Sequence, residues 1–154
     1  MRINRSSTEG VEHTVLKRKI IEQLEKRVDI VKIDTEYRVK KERGYYSFVD
    51  VWAEKSNGGD IYVEVKTSNT FSQAMVQLIS LNKQNKEDEF IIVCNFKRLY
   101  FFIDLLKSKE LKFQNFINKT QIYNYDKKNN YDLFCRDVKY IMNKELWVDD
   151  NRII

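Results

Sequence analysis

Residues 60–66 run Asp60-Ile61-Tyr62-Val63-Glu64-Val65-Lys66 (DIYVEVK). Successive side chains of a strand point to opposite faces. Ile61, Val63 and Val65 therefore share one face, and Tyr62, Glu64 and Lys66 share the other. Just upstream, Ser56-Asn57-Gly58-Gly59 is turn chemistry. Before that turn, residues 45–53 (YYSFVDVWA) form a second β-rich segment. Residues 31–39 form a third, rich in β-branched side chains and alternating in part. Three strands joined by short turns make an antiparallel meander.

Helical signals flank the meander. Ser6-Ser7-Thr8-Glu9 resembles a capping box, and His13, Leu16, Ile20, Leu24 and Val28 follow at helical spacing as an inward stripe. The pattern predicts a helix over about 8–28. Downstream, Thr70 opens a second helix that ends near Lys83 and Lys86, with Gln73 as a candidate capping partner. Ala74, Gln77, Leu78 and Leu81 share one of its faces. Residues 89–95 (EFIIVCN) are a continuous apolar run, as a strand buried on both faces requires. The order is α-β-β-β-α-β. Beyond it, 99–107 has a helical pattern, 121–125 a strand pattern, and 131–143 is read as a helix. This last third is rich in Tyr, Phe, Lys and Asn. Such a mixture can stack on bases and track phosphates, or can equally be core aromatics with solvated lysines.

At 154 residues the chain suits one domain with one core. With 42% hydrophobic and 33% charged residues it is globular rather than disordered. No run of about 18 apolar residues would cross a membrane, and MRINRSSTEG at the start has no apolar signal core. An intracellular, cytoplasmic protein is expected. Cys94 and Cys135 have no metal-ligand spacing and sit among apolar neighbours, so both are expected to be small buried hydrophobes without a disulfide. The formal charge of +5 permits nucleic-acid binding without requiring it.

The chemistry-bearing set is Asp50, Glu64 and Lys66. Glu64 and Lys66, at i and i+2, lie about 6.6 Å apart along one strand face. A neighbouring antiparallel strand can bring Asp50 beside Glu64. Two adjacent carboxylates repel one another unless a cation lies between them. Their hard oxygens suit Mg²⁺ or Mn²⁺, with waters completing the shell. Such an ion acidifies bound water and neutralises charge on a phosphate. A nearby lysine can orient that water or stabilise the phosphorus transition state. As a bare pattern the set is weak, because a solvated Glu/Lys strand face looks the same. Placing both acids on adjacent strands, joined by a Gly-Gly turn and followed by a helix, is what gives it weight.

With these residues in that order, the chain resembles the PD-(D/E)XK nuclease superfamily, the restriction-endonuclease-like fold. The matching residues are Val49-Asp50-Val51 and Val63-Glu64-Val65-Lys66, and the resemblance covers about residues 8–96. It implies a single α/β domain, an α-β-β-β-α-β core with a mixed sheet, and an α/β extension over about 97–154. It further implies that Asp50 and Glu64 bind metal and that Lys66 assists the attacking water. Phe48-Val49 stands where the name motif has proline. Several branches, including Holliday junction resolvase-like enzymes, place an additional metal-binding glutamate in the first helix, which points to Glu12. The stretch from Glu12 to Lys17 is also similar to the corresponding helix of CoiA-like members. Branches with a glutamine in the helix after Glu-x-Lys point to Gln77, although Gln73-Ala74-Met75-Val76-Gln77 departs from the Q-x-x-x-Y form.

Each of these positions has a plainer alternative. Glu12 suits the first turn of a helix through the helix dipole. Gln77 can be a hydrogen-bonded core amide, and capping accounts for Gln73. His13 on the inward stripe reads as a satisfied buried histidine. Thr67 and Ser68 fit turn chemistry. Lys40, Lys41 and Arg43 in a turn, with Lys83 and Lys86 at a helix end, could meet DNA or simply be solvated. The expectation is a Mg²⁺- or Mn²⁺-dependent nuclease acting on DNA, an endonuclease of structural or weak sequence preference. Symmetric cutting of a junction would require a homodimer. The alternatives are a non-catalytic nucleic-acid-binding module on the same fold, and a protein-interacting domain without salt-dependent DNA affinity.

Overall fold

The alternation in residues 60–66 is realised as a central strand. The structure is a computed structural model that describes residues 10–40, 46–67, 85–94 and 118–137. Its elements are helix α1 (Val11–Glu25) and strands β1 (Ile30–Lys40), β2 (Tyr46–Lys55), β3 (Asp60–Val65), β4 (Glu89–Cys94), β5 (Thr120–Asp126) and β6 (Asp132–Asp137). The strands form one six-stranded sheet in the order β1-β2-β3-β4-β5-β6. β1, β2 and β3 are the antiparallel meander. The β3–β4 and β4–β5 neighbours are parallel, and β5–β6 is antiparallel. This is an α/β fold with a mixed sheet, consistent with a restriction-endonuclease-like core. The parallel steps require crossovers of roughly a dozen residues or more. The helix expected from Thr70 and the one expected over 99–107 fall between those strands, and residues 68–84 and 95–117 lie outside the described ones.

Helix α1 forms because its apolar side chains recur on one face. Leu16, Ile20, Ile21 and Leu24 are buried against Val51, Ala53, Ile61, Val63, Val65, Ile91 and Val93. Burial of each such side chain contributes about 1.5–3 kcal/mol, which outweighs the lack of a side-chain cap at Gly10. The helix is shorter than the expected 8–28, and the capping-box residues lie outside the described ones. Val28 is fully exposed and does not continue the stripe. The chain leaves the helix there because Arg27 is drawn into an ionic network. Its guanidinium donates to Asp29 at 2.7 Å and to Glu89 at 2.9 Å, and Lys55 Nζ donates to Glu89 at 2.7 Å. Burial raises the Glu89 carboxyl, but the Arg27 and Lys55 hydrogen bonds and charges outweigh it and hold the group below its usual range. The network pins α1, β2 and β4 at the end of the sheet remote from Asp50.

The segment read as a helix over 131–143 begins instead as β6. A 3-10 turn at Lys127–Asn129 is capped by Asp126, whose side chain accepts from the Lys128 N–H. Asn130 then adopts the left-handed conformation, φ 57°, which Asn tolerates better than most residues. This reverses the chain onto β5, and cross-strand pairing overrides the helical pattern. Leu133 packs toward the core while Phe134 is exposed. Residues 138–143 lie outside the described ones. Cys94 is buried as expected, whereas Cys135 is only half-buried.

At the β2–β3 turn, Gly59 packs directly on the segment leading into β4. A β-carbon there would lie 2.2 Å from the Glu87 carbonyl oxygen. That contact is with backbone, so relief requires the β4 approach to move. Gly59→Ala is expected to destabilise the protein by about 1–3 kcal/mol, as overpacking does. Urea denaturation checks it, and an unchanged midpoint would show that the Glu87 segment yields without cost.

Candidate active site

The β2–β3 ladder runs from Glu54↔Asp60 to Val51↔Val63. Asp50 and Glu64 are the next residues on each strand, so the register alone sets them side by side. There the pattern changes: the Val65 N–H donates to Asp50 Oδ2 at 2.8 Å. On the other side, the Lys66 N–H donates to the Val93 carbonyl at 2.8 Å, keeping β3 on β4. The Asp50 carboxylate thus occupies the seam between β2 and β3, anchored by backbone.

Two bases flank the acids. His13 Nε2 lies 3.5 Å from Asp50 Oδ2, and Lys66 Nζ lies 3.9 Å from Glu64 Oε2. Burial raises both carboxyls. At Asp50 this is outweighed by the hydrogen bond and charge of His13, the Val65 N–H and a hydrogen bond from Glu64, and the group titrates below its usual range. At Glu64 burial is joined by the negative charge of Asp50, and Lys66 does not offset the two, so the group is pushed well above its usual range. The two carboxyls are thus driven in opposite directions, Asp50 down and Glu64 up.

Two adjacent carboxylates repel one another when both are ionised, and a cation between them relieves that repulsion. The donors are hard oxygens, and Mg²⁺ characteristically uses one or two carboxylates while keeping several waters. The residues fit such an ion. Among the described residues, no three His, Cys, Asp or Glu side chains converge to form a complete cage.

Of the sequence-derived site residues, Asp50, Glu64 and Lys66 are brought together. Glu12 is not gathered to them: its Oε2 lies 2.9 Å from Lys127 Nζ. Consecutive helical residues point about 100° apart, so Glu12 and His13 cannot both face Asp50, and the side chain that does is His13. Gln77, Gln73, Ser68, Lys41, Arg43 and Lys83 lie outside the described residues. Lys86 is exposed in a turn leading into β4 rather than at the expected helix end, and Thr67 is half-buried.

Sequence reasoning missed Lys17 and Glu36. Lys17 is fully buried, and its Nζ donates to Glu36 Oε1 at 2.8 Å. The pairs Thr35↔Val51 and Tyr37↔Val49 put Glu36 level with Asp50 across β1 and β2. Glu36 has φ 49°, an unusual conformation for a strand residue with a side chain. Glu36, Asp50 and Glu64 therefore stand on three successive strands, facing Lys17, His13 and Lys66. The available signal was the i, i+4 spacing of His13 and Lys17, which places both on one helix face.

No protein-family model matches the chain, and no curated protein matches it. Among solved structures, it is similar to an XisH family protein from Nostoc punctiforme PCC 73102, with 22% identity and a TM-score of 0.45 over 78% of this chain and 96% of that one. It is also similar to a repair endonuclease from Pyrococcus abyssi, with 16% identity and a TM-score of 0.40 over 70% of this chain. That match spans 46% of the endonuclease's own length. At this level of likeness, inference about function rests on the chain's own residues. No helix among the described residues is long and apolar enough to cross a membrane.

Proposed function

We propose that this chain is a metal-dependent nuclease that hydrolyses DNA phosphodiester bonds, an endonuclease of structural or weak sequence preference. The observation that carries the proposal is the Asp50–Glu64 pair, seated at one level of adjacent strands with Lys66 Nζ 3.9 Å from Glu64. Asp50 and Glu64 would hold Mg²⁺ or Mn²⁺. When bound, the ion would lower the pKa of a water and neutralise charge on the phosphate.

The chain's own residues supply the remainder. The Val65 N–H fixes the Asp50 carboxylate, and His13 braces the same oxygen from α1. Lys66 reaches the Glu64 side of the pair, where its ammonium can donate to the attacking water or to a non-bridging phosphate oxygen as negative charge grows there. The water oxygen forms the new bond to phosphorus as its proton passes to solvent, the ester P–O bond breaks, and the departing oxygen takes up a proton from solvent. Without a cation the two acids would repel a phosphate, so a site built only to bind nucleic acid gains nothing from them.

The test is cleavage of single-stranded, duplex, flap and four-way-junction DNA by the wild-type chain, with Mg²⁺, Mn²⁺ or EDTA. Cutting that requires the metal is expected. Folded protein that cuts none of these while binding them would overturn the catalytic proposal in favour of a binding module. Cutting confined to paired, symmetric nicks at the junction would identify a homodimer as the working form.

A further inference from the structure

The turn between β5 and β6 reaches the start of α1. Lys127 Nζ lies 2.9 Å from Glu12 Oε2. Glu12 is the chain neighbour of His13, whose Nε2 lies 3.5 Å from Asp50 Oδ2. About two helical turns further on, Lys19 Nζ lies 3.8 Å from Asp132 Oδ1. The turn is thus tied along α1, with Lys127 at the end of the helix that meets Asp50. Its shape is set from within. The Lys128 N–H donates to Asp126 Oδ1 at 3.0 Å, and the Tyr131 N–H donates to the Asp126 carbonyl at 2.8 Å. Asn130 and Tyr131 close it in the left-handed conformation, φ 57° and 59°.

Each acid of this corner already has a partner: Glu12 has Lys127, Asp132 has Lys19, and Asp126 caps the turn. Lys128 stands beside them exposed, and its ammonium makes no ion pair among the described residues. A cation held on an ordered turn binds an anion with little further ordering of the backbone. The candidate active site needs such a cation nearby, because Asp50 and Glu64 do nothing to draw a polyanion toward them. A lysine ammonium is a compact point charge rather than a planar fork. It suits a phosphate oxygen, and contacts of that kind position nucleic acid without reading its sequence.

We infer that Lys128, carried on the β5–β6 turn, binds a backbone phosphate of DNA that flanks the one attacked at Asp50 and Glu64. The Lys127–Glu12 ion pair is the brace that holds the turn beside the site. The inference rests on the nuclease proposal for its choice of ligand, but its test does not require cleavage. It gives the segment beyond β4 a task, holding the backbone without choosing bases.

The experiment is fluorescence anisotropy in EDTA with two labelled blunt duplexes of unrelated sequence, over a salt series from about 50 to about 200 mM. Lys128→Ala is expected to weaken binding about 5-fold on both duplexes and to lower the slope of log affinity against log salt by about 1. Lys128→Arg should restore both. Lys26→Ala is the control. It removes the same charge from an exposed position at the far end of α1, about 21 Å along the helix from Glu12, and should bind as wild type does. Because Lys128 is exposed, its Ala variant should keep the wild-type thermal midpoint, measured alongside. Wild-type affinity in Lys128→Ala overturns the contact. So does an equal loss in Lys26→Ala, which would reduce the effect to net charge, and so does a loss confined to one duplex, which would mean base reading. Cleavage measured in parallel separates the two ideas. A wild type that binds through Lys128 but cuts nothing with metal removes the nuclease proposal alone. One that cuts but is indifferent to Lys128→Ala removes the contact alone, and one that neither binds nor cuts removes both.

Discussion

Glu64→Gln is expected to reduce metal-dependent cleavage by about 10³-fold or more, and at the same time to stabilise the metal-free protein at neutral pH. Both effects arise from one carboxyl. In the folded chain Glu64 is buried beside Asp50 and titrates well above its ordinary value of 4.5. Between that value and the raised one, the folded state holds a proton that the unfolded chain has released. Stability therefore falls as pH rises through this window. The glutamine amide has no such proton, so its advantage over wild type is absent in acid and grows as pH rises. Asp50 works in the opposite direction, since its lowered pKa adds stability that is lost as pH falls, but it titrates in both proteins. Thermal midpoints of the metal-free pair, taken from about pH 4 to about pH 8, should diverge upward. Added Mg²⁺ or Mn²⁺ should then raise the wild-type midpoint and leave Glu64→Gln nearly unmoved, because a ligand stabilises only the state that binds it. A midpoint difference constant across pH would sink the account of the raised Glu64 carboxyl. A variant cleaving within about 10-fold of wild type would sink the catalytic role.

The pairing of Asp50 with Glu64 was legible because it needs little more than two strands, their alternation and a turn of definite length. Ile61, Val63 and Val65 fix the face of β3, and Ser56-Asn57-Gly58-Gly59 fixes where β2 must end. The register then follows, since a slip of one residue would turn every apolar side chain outward. What periodicity cannot provide is the phase of a helix to within one residue. Glu12 and His13 differ by a single step, and the packing of Leu16 and Ile20 on the sheet decides which of them meets Asp50. The same limit applies to β6. Tyr131-Asp132-Leu133-Phe134-Cys135 is short and apolar enough to satisfy either period, and the left-handed turn at Asn130 decided for a strand. Glu36 was hidden for a different reason. Its backbone conformation breaks the alternation of β1, and no pattern based on regular strands anticipates a residue that leaves the pattern.

That irregular residue carries the second large effect. Glu36→Gln is expected to destabilise the protein by about 2–4 kcal/mol, whereas Lys17→Met should cost about 1 kcal/mol or less. The two side chains form one ion pair, so a description in which the pair is simply an attractive contact predicts similar losses from either side. Burial makes them unequal. Lys17 is fully buried and Glu36 is partly open to solvent, with 29% of its side chain exposed. Removing the Glu36 charge leaves an ammonium in the interior with its nearest counter-charge gone. Removing the Lys17 charge leaves a carboxylate that water can still reach, and methionine fills the space of the lysine stem. The partial exposure of Glu36 is why the expected loss lies below the roughly 3–5 kcal/mol typical of breaking a fully buried pair. The double variant should then be more stable than Glu36→Gln alone, since it no longer buries an ammonium that has lost its 2.8 Å carboxylate partner. Chemical denaturation of all four proteins checks this as a double-mutant cycle. A double variant less stable than Glu36→Gln would mean that Lys17 is held mainly by its other contacts. In that case the pair would not fix α1 at the level of Asp50, and the approach of His13 would have to be set by the Leu16–Ile20 packing alone.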